Sequence, residues 1–191
     1  MGTYTSPRIQ LKNVRLSFPN VFKKGVIKGK ENNKFDCTFL LDKDTHAKEI
    51  KKLDTMINTI IKKELDGAKV KPENKCLRDG DLEDYDGYEN QMSLKASNDV
   101  RPVVKNRDGS PIIEEDGIIY AGCYVHAIIT LWVQDNQYGK KINANLLGLV
   151  FYKDGEPFGG SHVASEDDFA GLLDDEEEDD ILGDLDEDSP F

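Results

Sequence analysis

Between Ile9 and Phe18 apolar and polar residues alternate, but in two phases. Ile9 and Leu11 fall in one, and Val14, Leu16 and Phe18 in the other. A strand with a bulge or bend near Asn13 reconciles them. Phe35, Cys37, Phe39 and Leu41 alternate cleanly and predict a second, half-buried strand. A loop rich in lysine and glycine separates the two. Ile50, Leu53, Ile57, Ile60, Ile61 and Leu65 then recur at helical spacing. Asp44 or Thr45 is expected to accept the first free amides of this helix, and Gly67 to end it. The lysines on its exposed faces, Lys48, Lys51, Lys52, Lys62 and Lys63, read first as a solvated surface and second as a DNA-binding one.

From Cys76 onward the period is two again. Residues 77–90 form an acidic loop bearing glycines. Met92, Leu94 and Ala96 mark a strand, and "NRDG" between two β-prone runs signals a hairpin. The longest strand candidate follows. Cys123, Val125, Ala127, Ile129, Leu131 and Val133 lie on one face, and Tyr124, His126, Ile128, Thr130 and Trp132 on the other. "NQYG" turns the chain into a return strand from Lys140 to Lys153, and "DGEPFGG" closes the domain. Five or six strands with one helix suit a small antiparallel β-barrel of the OB type, whose open face and loops bind oligonucleotides. A sandwich or a split α+β sheet fits the same periodicity. The expected organisation is a folded domain over 1–163 and a disordered acidic tail over 164–191.

Charge sharpens this division. The net charge is −12, yet residues 1–75 carry +8, residues 76–163 carry −6, and the tail, with 14 acidic and no basic residues, carries −14. A mildly basic body can bind a polyanion even though the whole chain is acidic. The three cysteines, Cys37, Cys76 and Cys123, are far apart and form no C-x-x-C, so neither a disulfide framework nor a zinc cluster is expected. No apolar run approaches the ~20 residues of a membrane helix. These features predict a reducing compartment and no metal, cofactor or membrane.

Catalytic motifs are absent: there is no G-x-S-x-G, no H-E-x-x-H and no Walker sequence. The acidic loop containing Asp79, Asp81, Glu83, Asp84 and Asp86 lacks EF-hand spacing. It leaves a metal-dependent nuclease as an alternative, and an acidic DNA mimic or adaptor as a third reading. Binding has more support, because single strands are held by cations along the phosphates and by rings that stack bases. The body interleaves both. Candidate stacking residues are Tyr85, Tyr88, Tyr124, Trp132 and Tyr138. Candidate phosphate contacts are Arg15, Lys95, Arg101, Lys105, Arg107, Lys140 and Lys141. Tyr85, Tyr88 and Tyr138 sit among charges and are expected to be exposed. Phe18, Phe35 and Phe39 are expected in the core.

The tail mixes its acids with Phe169, Leu172, Leu173, Ile181, Leu182, Leu185 and Phe191, which a purely solubilising segment does not need. Such a tail can occupy a cationic groove as a phosphate chain would, and release on DNA binding frees it for other proteins. Its candidate partner-binding residues are Phe169, Asp184, Asp186, Glu187, Asp188 and Phe191.

Five segments carry a resemblance: "VRLSFPNVF" at 14–22, "LRDGD" at 77–81, "IYAGCYVHAII" at 119–129, "KDGEPFGG" at 153–160 and "EDDF" at 166–169. In this order they resemble a phage family, first filed as a domain of unknown function, associated with single-stranded DNA binding. The resemblance implies an OB-fold, no enzymatic activity and a place in the host cytoplasm. The acidic end with its terminal Phe is similar to that of phage and bacterial single-stranded DNA-binding proteins. There the tail recruits replication or recombination proteins and competes with DNA. The long Gly/Gln/Pro linker of the bacterial examples is absent here.

Overall fold

The computed structural model describes residues 4–27, 30–31, 33–158, 169 and 172. Nine strands and one α-helix occur among them: β1 (Ile9–Asn20), β2 (Val26–Ile27), β3 (Lys30–Glu31), β4 (Phe35–Asp42), α1 (Ala47–Glu64), β5 (Leu77–Asp79), β6 (Gln91–Asn98), β7 (Val103–Lys105), β8 (Tyr124–Asn136) and β9 (Gly139–Lys153). The fold is mainly β with a single helix, as the periodicity predicts. None of the described helices is long and apolar enough to cross a membrane.

β1 is bent twice. Asn13 has φ 54°, and the register against β8 shifts between Leu11 and Val14, so the expected bulge is present. A second break was not foreseen. Phe18 has φ 48°, and the register against β4 shifts between Ser17 and Asn20. The extra twist turns the Phe18 ring out of the core, where alternation had placed it; the residue is 52% exposed. Phe39 is buried as expected, and Phe35 is only half buried.

The start of α1 also differs from expectation. Asp44 and Thr45 supply amide donors rather than side-chain caps, and both bond Asp42 Oδ1 at 2.9 Å. The acceptor is the last residue of β4, because the chain leaves the strand through an Asx-type turn. Gly67 does end the helix. With φ 71° it donates its amide to the Ile61 carbonyl at 3.1 Å. Leu53, Ile57, Ile60 and Ile61 are buried, each contributing roughly 1.5–3 kcal/mol of apolar burial.

Five strands close on themselves. The sheet order runs β6-β4-β1-β8-β9, and a parallel pairing of Ser97 with Asn145 joins β9 back to β6. Numbered within this ring, the order is first-second-third-fifth-fourth, an OB-like arrangement. β5 extends the ring beside β6, and β7 lies parallel to β9. Inward residues form one core: Val14, Leu16, Phe39, Leu41, Leu94, Ala96, Val125, Ala127, Ile129, Leu131, Ile142, Ala144 and Leu146, joined by the buried face of α1. The alternation along β8 reproduces the expected faces. Val125 to Val133 point inward, and Tyr124, His126, Ile128 and Trp132 are half buried on the outside, with only Thr130 among them fully covered.

Residues 1–158 form one compact unit.

Candidate nucleic-acid interface

The outer face of the ring carries a groove across β4, β6 and β9. One end, about 240 Å³, is lined by Phe18, Thr38, Cys76, Arg78, Tyr85, Tyr88, Ser93 and Lys95, among others. The next hollow, about 210 Å³, is lined by Lys75, Cys76, Arg78, Lys95, Ser97, Lys141 and Asn143, among others. Cys76, Arg78 and Lys95 belong to both, so the two form one track. β4 and β6 are the second and third strands of the ring, the face an OB-type fold offers to oligonucleotides. The first-to-second connection reaches the groove through Gly25, and the fourth-to-fifth turn, which precedes Lys141, carries Tyr138, 73% exposed.

Alternation explains the chemistry of this surface. Thr38 faces Lys95 across β4 and β6, and Asp36 faces Ser97, while Cys37, Phe39 and Leu94 point inward. On β8 and β9 the same outer side presents Trp132 opposite Asn143 and Gln134 opposite Lys141. Directly opposed residues have Cβ atoms ~5 Å apart, so Trp132 borders the track by way of Asn143.

An aromatic cluster walls one end. Phe18 meets Tyr85 edge-on at 5.1 Å between centroids, and Tyr85 meets Tyr88, tilted, also at 5.1 Å. Phe18 and Tyr85 are each 52% exposed, whereas Tyr88 is 2% exposed. Exposure of Tyr88, expected from its charged neighbours, is therefore corrected. Its hydroxyl donates to Ser17 Oγ at 2.9 Å, and this buried partner outweighs the polarity of the surrounding loop. Burial raises its pKa despite that bond.

The loop carrying these tyrosines is tied at its base. Lys43 Nζ bonds Asp79 Oδ1 and Asp81 Oδ2, and Asp81 Oδ1 accepts the Asn90 amide at 2.9 Å. The Lys43 bond holds the Asp81 carboxyl below its ordinary range, with the Asn90 amide adding to the effect. Gly80 packs against backbone: a Cβ there would meet the Tyr88 carbonyl oxygen at 2.5 Å. Asp79 and Asp81, two of the acids that suggested a metal site, thus brace a loop. Among the described residues no group of three or more candidate ligands is placed to hold a metal.

The cations in the groove are differently engaged. Arg78 donates to the carbonyls of Lys75 at 3.0 Å and Glu73 at 2.6 Å, which fixes its guanidinium beside the track. No ion pair among the described residues involves Lys75, Lys95 or Lys141. Burial pushes the Cys76 thiol up to about 12 and raises Cys37 as well, so both thiols beneath the groove stay protonated and uncharged.

Of the residues singled out from sequence, the fold brings together Tyr85, Tyr88, Lys95 and Lys141 in the groove, with Trp132 beside it. Tyr138 and Lys140 lie at the adjoining turn, where Lys140 pairs with Asp135 at 3.1 Å. The others lie elsewhere. Arg15 and Tyr124 line a different hollow with Lys153. The Arg15 guanidinium donates to the carbonyls of Gly122 and Glu156 and stacks at 4.0 Å on Phe158, so it serves the fold. Arg101 lies over the Phe22 ring at 5.6 Å, Lys105 lines a hollow with Arg8 and Lys12, and Arg107 is in the exposed hairpin turn. Phe18, Lys75 and Arg78 were missed. Only a second bulge signal would have exposed Phe18, and alternation around a three-residue strand is too short to orient Arg78. In the tail, Phe169 and Leu172 are exposed and joined by an amide-to-carbonyl bond of 2.9 Å. Asp184, Asp186, Glu187, Asp188 and Phe191 lie outside the described residues.

The family model of the Enterobacter phage Enc34 single-stranded DNA-binding protein matches residues 7–182. Protein p50 of Acyrthosiphon pisum secondary endosymbiont phage 1 is 37% identical over 180 residues, 90% of this chain and 97% of its own. Similar solved structures include two of one phage protein. The single-stranded DNA-binding protein from bacteriophage Enc34 in complex with single-stranded DNA has TM-score 0.70 and 38% identity, covering 80% of this chain and 89% of that one. The same phage protein without the complex has TM-score 0.70 and 36% identity, covering 87% and 90%. The Enc34 relative is a single-stranded DNA-binding protein. With a family match spanning ring, groove and most of the acidic segment, this chain belongs to the Enterobacter phage Enc34 single-stranded DNA-binding protein family.

Proposed function

We propose that this protein coats single-stranded DNA without sequence preference, as an accessory to phage replication or recombination in the host cytoplasm. The observation that carries the reading is the junction of an exposed ring pair, Phe18 and Tyr85, with Lys95, Arg78, Lys75 and Lys141 along one outer track of the ring. Rings accept any base, because every base has a π-face, and cations follow the backbone whatever its sequence. Thr38, Ser97 and Asn143 add neutral donors and acceptors suited to sugar and phosphate contacts. Trp132 and Tyr138 extend the stacking surface at the far end.

The acidic tail, 164–191, is proposed to compete for the cationic track and, when DNA displaces it, to recruit replication or recombination proteins through Phe169, Asp184, Asp186, Glu187, Asp188 and Phe191. Oligo-dT titration tests both parts. Trp132 fluorescence is expected to quench as a strand fills the track, and removal of residues 164–191 is expected to tighten binding. Intact labelled strands that never shift at low salt would end the DNA reading; unchanged affinity after tail removal would end the competition alone. Strands shortened only when Mg²⁺ is added would favour a nuclease instead.

A further inference from the structure

A second cationic surface lies away from the groove. Lys48, Lys51, Lys52 and Lys63 of α1 rim a hollow of about 800 Å³, with Tyr4, Met56 and Ile60 among its lining. Ile60 is buried, and Met56 and Tyr4 are half buried, so the floor is apolar. None of the four lysines is in an ion pair among the described residues. The carboxylate of Glu64 stands at the end of the hollow. Lys48, Lys52, Met56, Ile60 and Glu64 follow one another at intervals of four, as do Lys51, Thr55, Thr59 and Lys63. The two rows make a continuous stripe on the helix. From Lys48 to Lys63 the helix rises about 22 Å.

The chain contains a segment of matching length and opposite charge. Asp174, Asp175, Glu176, Glu177, Glu178, Asp179 and Asp180 are consecutive, and the pairs Leu172–Leu173 and Ile181–Leu182 flank them. Seven extended residues span about 23–25 Å. We propose that the lysine stripe of α1 docks the acidic run 174–180 of a second copy of this chain. The carboxylates meet the four lysines along the stripe. Each copy then offers one acceptor stripe and one acidic run, a heterologous joint that propagates head to tail. A DNA strand fits this surface less well, because a single ring, Tyr4, is available for bases that need stacking partners, while the rest of the floor is aliphatic. The inference does not rest on DNA binding by the groove.

Sedimentation velocity of the full chain without nucleic acid tests it. Wild type is expected to form larger species with rising concentration and to revert to single copies at about 1 M salt, where the screening length is about 3 Å. Charge reversal of the stripe (K48E, K51E, K52E and K63E together) removes the association. So does neutralisation of the run, Asp to Asn and Glu to Gln at 174–180. Both sets are surface changes, checked for folding by circular dichroism. Mixing the two variants restores one joint only and yields a 1:1 pair, and a peptide of residues 172–182 dissolves the wild-type assembly. Three results would overturn the proposal: wild type that sediments as single copies at every concentration, association that survives stripe reversal, or variants that fail to pair when mixed. A stripe reversal that weakens oligo-dT binding while leaving association intact would assign the surface to nucleic acid instead.

Discussion

Tyr85→Ala probes the aromatic wall of the groove most directly. Half of Tyr85 is exposed, and its ring touches Phe18 on one side and Tyr88 on the other. A base stacked on such a ring contributes about 1–3 kcal/mol. Its loss therefore raises Kd for oligo-dT by roughly 5- to 150-fold, since every ~1.4 kcal/mol is a factor of ten. Losing two ring contacts, at about 0.5–1.5 kcal/mol each, lowers the unfolding midpoint by a few degrees and leaves the domain folded. Truncation also frees Phe18, whose ring has no other aromatic contact among the described residues. The assay is fluorescence anisotropy of labelled oligo-dT at several salt concentrations, with Tyr85→Phe as control. The phenylalanine variant keeps the ring and binds as wild type does. The alanine variant binds more weakly at every salt, with an unchanged slope of log K against log salt, because no phosphate contact is lost. Equal affinity of the alanine variant and wild type at matched folding would refute stacking at this wall. A weakened phenylalanine variant would assign the contribution to the hydroxyl.

Lys95→Ala and Lys141→Ala should each flatten the salt slope by about 0.7 per phosphate contact removed, measured by the same anisotropy series; an unchanged slope would place both lysines off the strand. Tyr88→Phe deletes a buried bond and strands Ser17 Oγ, so urea unfolding should show a loss of about 1–3 kcal/mol with little change in stacking. His126 supplies a pH dependence. Its Nδ1 accepts the amide of bulged Asn13 at 3.0 Å, which requires the unprotonated nitrogen. Burial, and then the charge of Lys12, hold its pKa below the ordinary range. The unfolded chain thus binds the proton more readily, and stability present above the ordinary histidine value of about 6.5 declines as pH falls below it. Urea midpoints compared at about pH 7.5 and about pH 5.5 should differ in wild type and differ less in His126→Asn.

Much of the ring was legible before any coordinates. Alternation in residues 35–41 and 123–133 is a local property of each strand, and packing obeys it because inward side chains must be apolar. The irregularity at Asn13 was legible too, since two phases in one strand require a bulge or a bend. Phe18 was misread because a second left-handed residue interrupts the same strand, and alternation then points to the wrong face. Tyr88 was misread because its partner, Ser17, is distant in sequence, so neither the bond nor the burial leaves a local trace. Arg15 carries the basic character expected of a phosphate contact, yet backbone carbonyls of Gly122 and Glu156 claim its guanidinium. Two acids of the loop that suggested a metal, Asp79 and Asp81, are paired with Lys43, which is remote in the chain and leaves no local trace.

What the sequence by itself determined are quantities carried by neighbouring residues: the periods of strands and helix, the split between a basic body and an acidic end, and the residue types available for gripping a strand. Which of those residues meet was decided only by the closing of the ring. β6 pairs with β4, β5 and β9 at once, and those pairings bring Lys95, Arg78, Lys141 and the Tyr85 loop to one track while sending Lys105, Arg107 and Tyr124 elsewhere. Charge and aromaticity belong to single residues, but a binding surface depends on contacts between residues far apart in the chain, and those are selected by burial of the shared core.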